Sequence, residues 1–341
     1  MTVDLTDSIG RRSRLRATST GKRVSPTERD LQWLAALAEH GPLPSSFLLA
    51  FSNGSHASEK RARERLTDLF HEDNTPDGGP YLIRPPQQFR TIDSRYNQLV
   101  YDLAPAGWRA LERIGCVPKP GTTPSGPWLH GFMTSCITAS IEIATLSRTD
   151  LSYTPQSKIL ARANADLRCP VTITDPVTGR TMTKDIIPDA VFGLCYHTDC
   201  GDRFRFFAVE ADRATEPTTS ANWNRKSFER SLLQYEAYVA GGAYRDHLGL
   251  TAPLLVLNVI ANQRLMERMV EFTGKRYPRG NSFLLFQVWE EFGLVWRPPN
   301  PSALLLRGGW ERANLQEFNS LLKFPDASRY SNSRQHSNES A

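Results

Sequence analysis

Pro188-Asp189 stands at the start of one β-type run, and 21 residues later Glu210-Ala211-Asp212-Arg213 closes a second, strongly apolar run. Two adjacent antiparallel strands bring Asp189 and Glu210 to one sheet end. Side chains alternate along a strand, so Glu210 and Asp212 point to the same face. Three converging carboxylates form a hard-oxygen site suited to Mg²⁺. Such an ion activates water and stabilises the charge that develops on a phosphodiester. The plainer reading is strand-end carboxylates paired with Arg213 or Arg205.

The elements that must hold these acids are legible around them. A helix is expected over 128–147, with Phe132, Cys136, Ile137, Ile141 and Ala144 as packing positions. Strands are expected over 160–167, 171–174 and 181–187, the last two joined through the turn Asp175-Pro176-Val177-Thr178-Gly179. Further strands cover 190–196 and 204–209. A long helix spans 222–244 and stops at Gly241-Gly242. A buried strand over 254–260, a helix over 264–272 and a strand over 283–289 complete an α/β (α+β) sandwich.

Ahead of this unit, residues 26–115 have a pattern of their own. Thr27 and Asp30 form a capping box for a first helix, which Gly41-Pro42 ends. Helices over 45–51 and 55–71 follow, then strands over 81–83 and 99–103, then a helix over 106–114. That is the order of a winged helix-turn-helix, with 55–71 as the recognition helix. Lys60 and Arg61 fall away from its apolar face, with Arg65 flanking. They suit DNA phosphates or guanine edges. A solvated charged face, or a winged helix that binds protein, is the alternative, because residues 21–115 hold 12 basic and 12 acidic side chains.

Residues 1–25 read as a disordered basic arm. Arg11, Arg12, Arg14, Arg16, Lys22 and Arg23 face only Asp4 and Asp7 there, so the arm either meets phosphates or stays solvated. Residues 116–127, rich in proline and glycine, read as a linker. The sandwich takes 128–325, and a second polar tail takes 326–341. Over the 341 residues, 40% are hydrophobic and 23% charged, and the net charge is +5. That composition is globular and permits an anionic partner. No stretch approaches the roughly 18 apolar residues of a membrane span, and the arginines without an apolar core near the N-terminus are not expected to form a secretory signal. The five cysteines show no CxxC, so a reducing cytosol is expected.

Pro188-Asp189 followed by Glu210-x-Asp212 resembles the PD-(D/E)XK nuclease signature. The wider run, a winged helix with Tyr101-x-Leu103 and Gly107-x-x-x-Leu111, a Pro-rich linker, then Pro188-Asp189-Ala190 and Glu210-x-Asp212-Arg213-x-Thr215-Glu216, is similar to the plasmid replication-relaxation family. The resemblance spans about residues 27 to 290. It implies double-stranded DNA as partner, together with replication or mobilisation proteins of a plasmid or mobile element. It also implies metal ligation by Asp189 and Glu210 and a lysine two residues beyond, where this chain has Asp212. Lys226 is a replacement on the following helix, or else a solvated helix residue. Gln234-x-x-x-Tyr238 resembles a Gln/Tyr motif of recombination-type members. The first helix of the fold often lends an acid, which points to Glu142 as a further ligand, with His130, twelve residues before it, as another candidate. A surface glutamate and a capping histidine are the alternative.

Cys195, His197 and Cys200 lack a fourth partner and match no closed zinc spacing, so an ordinary loop is expected. Two functions stay open. One is a Mg²⁺-dependent DNA nicking enzyme aimed by the winged helix. The other is a non-catalytic DNA-binding regulator or recruitment factor that keeps the nuclease fold as a scaffold. A regulator whose second domain senses a ligand is a third.

Overall fold

The computed structural model describes residues 12–52, 55–90, 92–116, 127–175, 178–213, 217–220, 225–292 and 297–323. The chain begins with helix α1 (Glu28–His40), strand β1 (Leu43–Pro44), helices α2 (Ser45–Phe51) and α3 (Glu59–His71), strands β2 (Leu82–Ile83) and β3 (Val100–Leu103), and helix α4 (Pro105–Arg113). The capping box at Thr27 and Asp30 forms, and Ser58 caps α3 by accepting from Arg61 N. Trp33, Leu34 and Leu37 of α1 pack with Leu66 and Leu69 of α3 in one core. The three strands form an antiparallel sheet in the order β1-β3-β2. This layout is compatible with a winged helix-turn-helix.

The solvated arm expected at the N-terminus does not extend over residues 12–24. Arg12 donates to Glu72 Oε1 at 2.9 Å, Thr20 N donates to Glu72 Oε2 at 2.9 Å, and Thr18 N donates to His71 Nδ1 at 3.1 Å. Val24 is buried in the core. The cause is Glu72, fully buried at the end of α3, whose charge requires several donors. Residues 1–11, Arg11 among them, lie outside the described residues.

Most of the expected linker, 117–126, also lies outside the described residues. Helix α5 (Trp128–Thr145) follows and packs on α1, α2 and the main sheet. Gly41 ends α1 at φ 92°, and a Cβ there would meet Ser135 Oγ of α5 at 2.9 Å. Glycine therefore serves both the left-handed turn and the close approach of the two helices.

Strand β4 (Leu151–Thr154), helix α6 (Gln156–Ala163) and the hairpin β5 (Cys169–Thr174) and β6 (Thr181–Ile186) come next. Then come β7 (Ala190–Thr198), β8 (Gly201–Asp212), α7 (Phe228–Tyr235), α8 (Ala243–Leu248), β9 (Leu254–Ile260), α9 (Gln263–Arg276), β10 (Leu284–Val288) and α10 (Leu304–Arg307). The main sheet has the order β10-β9-β8-β7-β4. Its β4-β7-β8 half is antiparallel and its β8-β9-β10 half is parallel. Period-two alternation sorts β8 between two cores. Phe207, Val209 and Ala211 face α5, while Phe206 and Ala208 face the layer of α6, α7 and α9. Among the described residues, no helix is long and apolar enough to cross a membrane.

Three expectations change. Residues 160–167 are not a strand: Ile159 and Leu160 lie on the buried face of α6, which Asn164 ends at φ 49°. Strand β4, not expected, pairs along β7. The helix expected over 222–244 starts at Phe228, capped by Ser227, passes into a π turn over Glu236–Ala240, and restarts as α8 after Gly242 at φ 82°. Residues 221–224, Trp223 included, and the end of the chain from 324 lie outside the described residues.

Candidate functional site

The register Ala190↔Val209 carries Asp189 abreast of Glu210 where β7 begins. Asp189 is held on both oxygens. His130 Nε2 donates to Oδ1 at 2.8 Å, and Ala211 N donates to Oδ2 at 2.8 Å. His130 comes from the first turn of α5, on one side of the sheet. From the other side, the Tyr235 hydroxyl at the end of α7 donates to Glu210 Oε1. The site thus sits at the sheet end, between two helical layers.

Its electrostatics follow from that placement. The hydrogen bond to Asp189 raises the His130 pKa against the opposing effect of burial, with Lys226 lowering it and Glu210 raising it further. Burial, reinforced by Glu210, pushes the Tyr235 hydroxyl well above its usual range, so it stays a proton donor to Glu210. A cleft of about 790 Å³ opens here, lined by His130, Asp189, Glu210, Lys226, Arg230 and Tyr235. Its far wall is the C-terminal end of α1 with Asp102 of β3, from the N-terminal module.

Lys226 therefore lines the cleft, as does Gln234, whose Nε2 donates to Asp185 O at 3.0 Å and braces α7 against β6. Three expected site residues, Asp212, Tyr238 and Glu142, are not among the residues that line the cleft. Asp212 shares the strand face of Glu210 but is absent from the cleft lining. It lies beyond the start of β7, at the last position of β8, where its partner is Ile260 of β9. Tyr238 is buried in the second core with its hydroxyl 2.7 Å from His247 Nδ1. The π turn after Tyr235 carries Tyr238 off the cleft face, and Tyr235 takes the place expected of it.

Glu142 lies 12 residues beyond His130 on α5, about 18 Å along the helix axis. It meets His40 Nε2 of α1 at 2.6 Å and ties the two halves of the chain together. Arg65, expected to flank the DNA-contacting face, does not face outward from α3. Its Nη2 donates to Asp30 Oδ2 at 2.7 Å and to Ser25 O at 2.6 Å, because the buried capping carboxylate of α1 needs a cation.

Among the remaining basic residues, Lys60 and Arg61 are exposed on α3, with Arg61 Nη1 3.1 Å from Glu64. Arg16 is also exposed. Arg12 is committed to Glu72, and Arg14 donates to Arg95 O and Asn97 O at 2.8 and 3.0 Å. Arg12 and Arg14 thus fasten the N-terminal segment onto the first module rather than extending from it. The residues that sequence reasoning misses are Tyr235 and Arg230. Their signal is the i, i+4 to i, i+5 spacing from Arg230 to Gln234 and Tyr235 on the helix that follows the acidic pair.

The fold is a mixed α/β arrangement in which a small helical module with its own sheet packs on a five-stranded sandwich. The replication-relaxation family matches residues 34–254, more than half of the chain, and the chain belongs to that family. Membership associates it with the replication or relaxation of plasmids and other mobile elements. Among solved structures, the SdaI restriction endonuclease aligns at 12% identity over 71% of this chain and 81% of that chain, with a TM-score of 0.16. A likeness at that level carries no argument about this chain. No curated protein matches it.

Proposed function

We propose that the protein binds double-stranded DNA of a plasmid or mobile element and nicks it in the cleft, in the service of replication, relaxation or mobilisation. The observation that carries this reading is the pair Asp189 and Glu210, set abreast at one sheet end with His130 and Lys226 lining the same cleft. Exposed Lys60 and Arg61 of α3 supply cations for the DNA backbone outside the cleft.

The donor set fits Mg²⁺ in kind. That ion is bound by one or two carboxylates and keeps several waters. Each ionised carboxylate offers about four acceptor positions, so the hydrogen bonds from His130, Ala211 and Tyr235 orient the two groups without exhausting them. Asp189 and Glu210 would hold the ion, which supplies an activated water and neutralises developing charge. His130 and the Ala211 amide fix Asp189 in place. Tyr235 fixes Glu210 from the opposite layer. Lys226 and Arg230 line the space where the phosphate would lie.

Incubation of supercoiled plasmid with the protein and Mg²⁺ or Mn²⁺ tests the reading. Conversion to open or linear circles that Glu210→Ala abolishes supports it. A second reading rests on Asp212, which stands where the resemblance implies a catalytic lysine and lies off the cleft. On that reading the protein is a DNA-binding recruitment factor on a nuclease scaffold. It binds DNA with steep salt dependence and converts nothing.

A further inference from the structure

We infer that Cys195, His197 and Asp202 form a binding site for Zn²⁺ or another thiophilic divalent cation at the β7–β8 hairpin, separate from the cleft. Cys195 and His197 are two residues apart on β7 and share a face. Asp202 of β8 stands directly opposite His197 in the register. His197 Nδ1 lies 2.8 Å from Asp202 Oδ1 and 3.9 Å from Cys195 Sγ, and the three ligand atoms all fall within 4.8 Å of one another. Asp189 and Cys195 are six positions apart, about 20 Å of extended strand.

The geometry separates a metal site from a nucleophile triad. A Cys-His-Asp triad places its thiol and its carboxylate on opposite ring nitrogens. Here both converge on Nδ1, as ligands around one ion do. The other nitrogen, Nε2, faces Ser152 Oγ of β4 at 3.1 Å. With a cation on Nδ1, the ring proton would sit on Nε2 and donate to Ser152 Oγ, the outer-shell hydrogen bond that fixes the tautomer of a metal-bound histidine. Tetrahedral zinc with bonds of about 2.0–2.3 Å sets ligand edges of about 3.3–3.8 Å. To meet this, the cation would replace the Nδ1 proton, the nitrogen–oxygen edge would open by about half an ångström, and the Cys195 sulfur, 3.9 Å from Nδ1, would draw in.

Zn²⁺ would displace the thiol proton of Cys195 to solvent and bind its sulfur, the imidazole and the carboxylate. Cys195 is buried beneath, while His197 and Asp202 are open to water, which leaves a fourth position for solvent. Cys200, exposed in the hairpin turn, lies outside this group of ligand atoms. The cation would clamp β7 to β8, with Ser152 extending the clamp to the edge strand β4.

The test is titration of the full chain with Co²⁺, read by absorbance. One equivalent is expected to give a thiolate-to-cobalt band in the near ultraviolet and tetrahedral bands in the visible, both displaced by Zn²⁺. Asp189 and Glu210 hold no sulfur, so the thiolate band separates this site from the cleft, and Cys195→Ser separates it from the other four cysteines. Cys195→Ser is expected to lose the band and Cys200→Ser to keep it. Ser152→Ala is expected to weaken binding about 10–100-fold, and His197→Gln or Asp202→Asn by more. The exposed pair His197 and Asp202 keeps the test decisive if Cys195→Ser does not fold. Absence of a thiolate band in the parent protein overturns the inference. So does its survival in Cys195→Ser, or unchanged affinity in both His197→Gln and Asp202→Asn.

Discussion

His130 Nε2 lies 2.8 Å from Asp189 Oδ1, which joins the first turn of α5 to the sheet end where Glu210 stands. The other oxygen of that carboxylate takes the Ala211 amide, so the orientation of Asp189 is set from helix and sheet together. On the proposed function His130 is a positioning residue. His130→Ala is expected to raise the Mg²⁺ concentration needed for half-maximal plasmid conversion by about 10–100-fold, with DNA affinity at fixed salt unchanged. His130→Asn is expected to restore part of that loss. Equal loss in both variants with no change in Mg²⁺ dependence would contradict the assignment.

Glu72 anchors the N-terminal segment. Burial alone would push its carboxyl up, but hydrogen bonds from Thr20, Arg12 and Ser19 outweigh it and hold the group below its usual range. Glu72→Gln is expected to cost about 3 kcal/mol in denaturant unfolding, because it leaves the Arg12 guanidinium without its counter-charge. Limited proteolysis should then cut within residues 12–24 faster than in the parent. A loss below about 0.5 kcal/mol would show the segment to be only loosely seated.

Half-buried Asp102 and buried His71 give stability opposite pH slopes. Burial pushes the Asp102 carboxyl from 3.8 up to about 6, so between those values the folded chain holds a proton the unfolded chain has lost. Its contribution is full below the unfolded pKa and is lost as pH rises through about 6. Burial, with Arg12 and Arg84, lowers His71 from 6.5 to about 4, so the unfolded chain binds the extra proton and stability is lost as pH falls through that window. Melting temperatures from pH 4 to 8 test both. Asp102→Asn should gain on the parent as pH rises, and His71→Gln should gain on it as pH falls. Parallel curves would contradict both assignments.

Charge on α3 divides into contact and scaffold. Lys60→Ala with Arg61→Ala is expected to weaken duplex binding and to reduce the slope of log K against log salt by about two. Arg65→Ala is expected instead to destabilise the fold, because it strands the buried Asp30 carboxylate. An unchanged salt slope in the double variant would place the DNA surface elsewhere.

Much of this was legible in local patterns. The Thr27-Asp30 box marks α1, and the apolar run before Glu210 marks β8 and puts Asp189 beside Glu210. What was not legible depends on tertiary partners. Ile159 and Leu160 read equally as strand or helix until a core exists to receive them. Gln234 and Tyr238 share a face on a regular helix, and only the π turn separates them. Arg65 and Arg61 are alike in sequence, yet one meets a buried acid 35 residues upstream and the other meets Glu64 at the exposed surface. Glu142 fails as a ligand because a helix places it a fixed distance from His130, nearer to His40.

The central claim turns on supercoiled plasmid held with the protein and Mg²⁺ or Mn²⁺, with Asp189→Asn and Glu210→Gln beside the parent. The account predicts that the parent yields open circles and that both variants bind duplex DNA as tightly while yielding none. Conversion that survives in both variants, or no conversion by the parent with either ion, would contradict it.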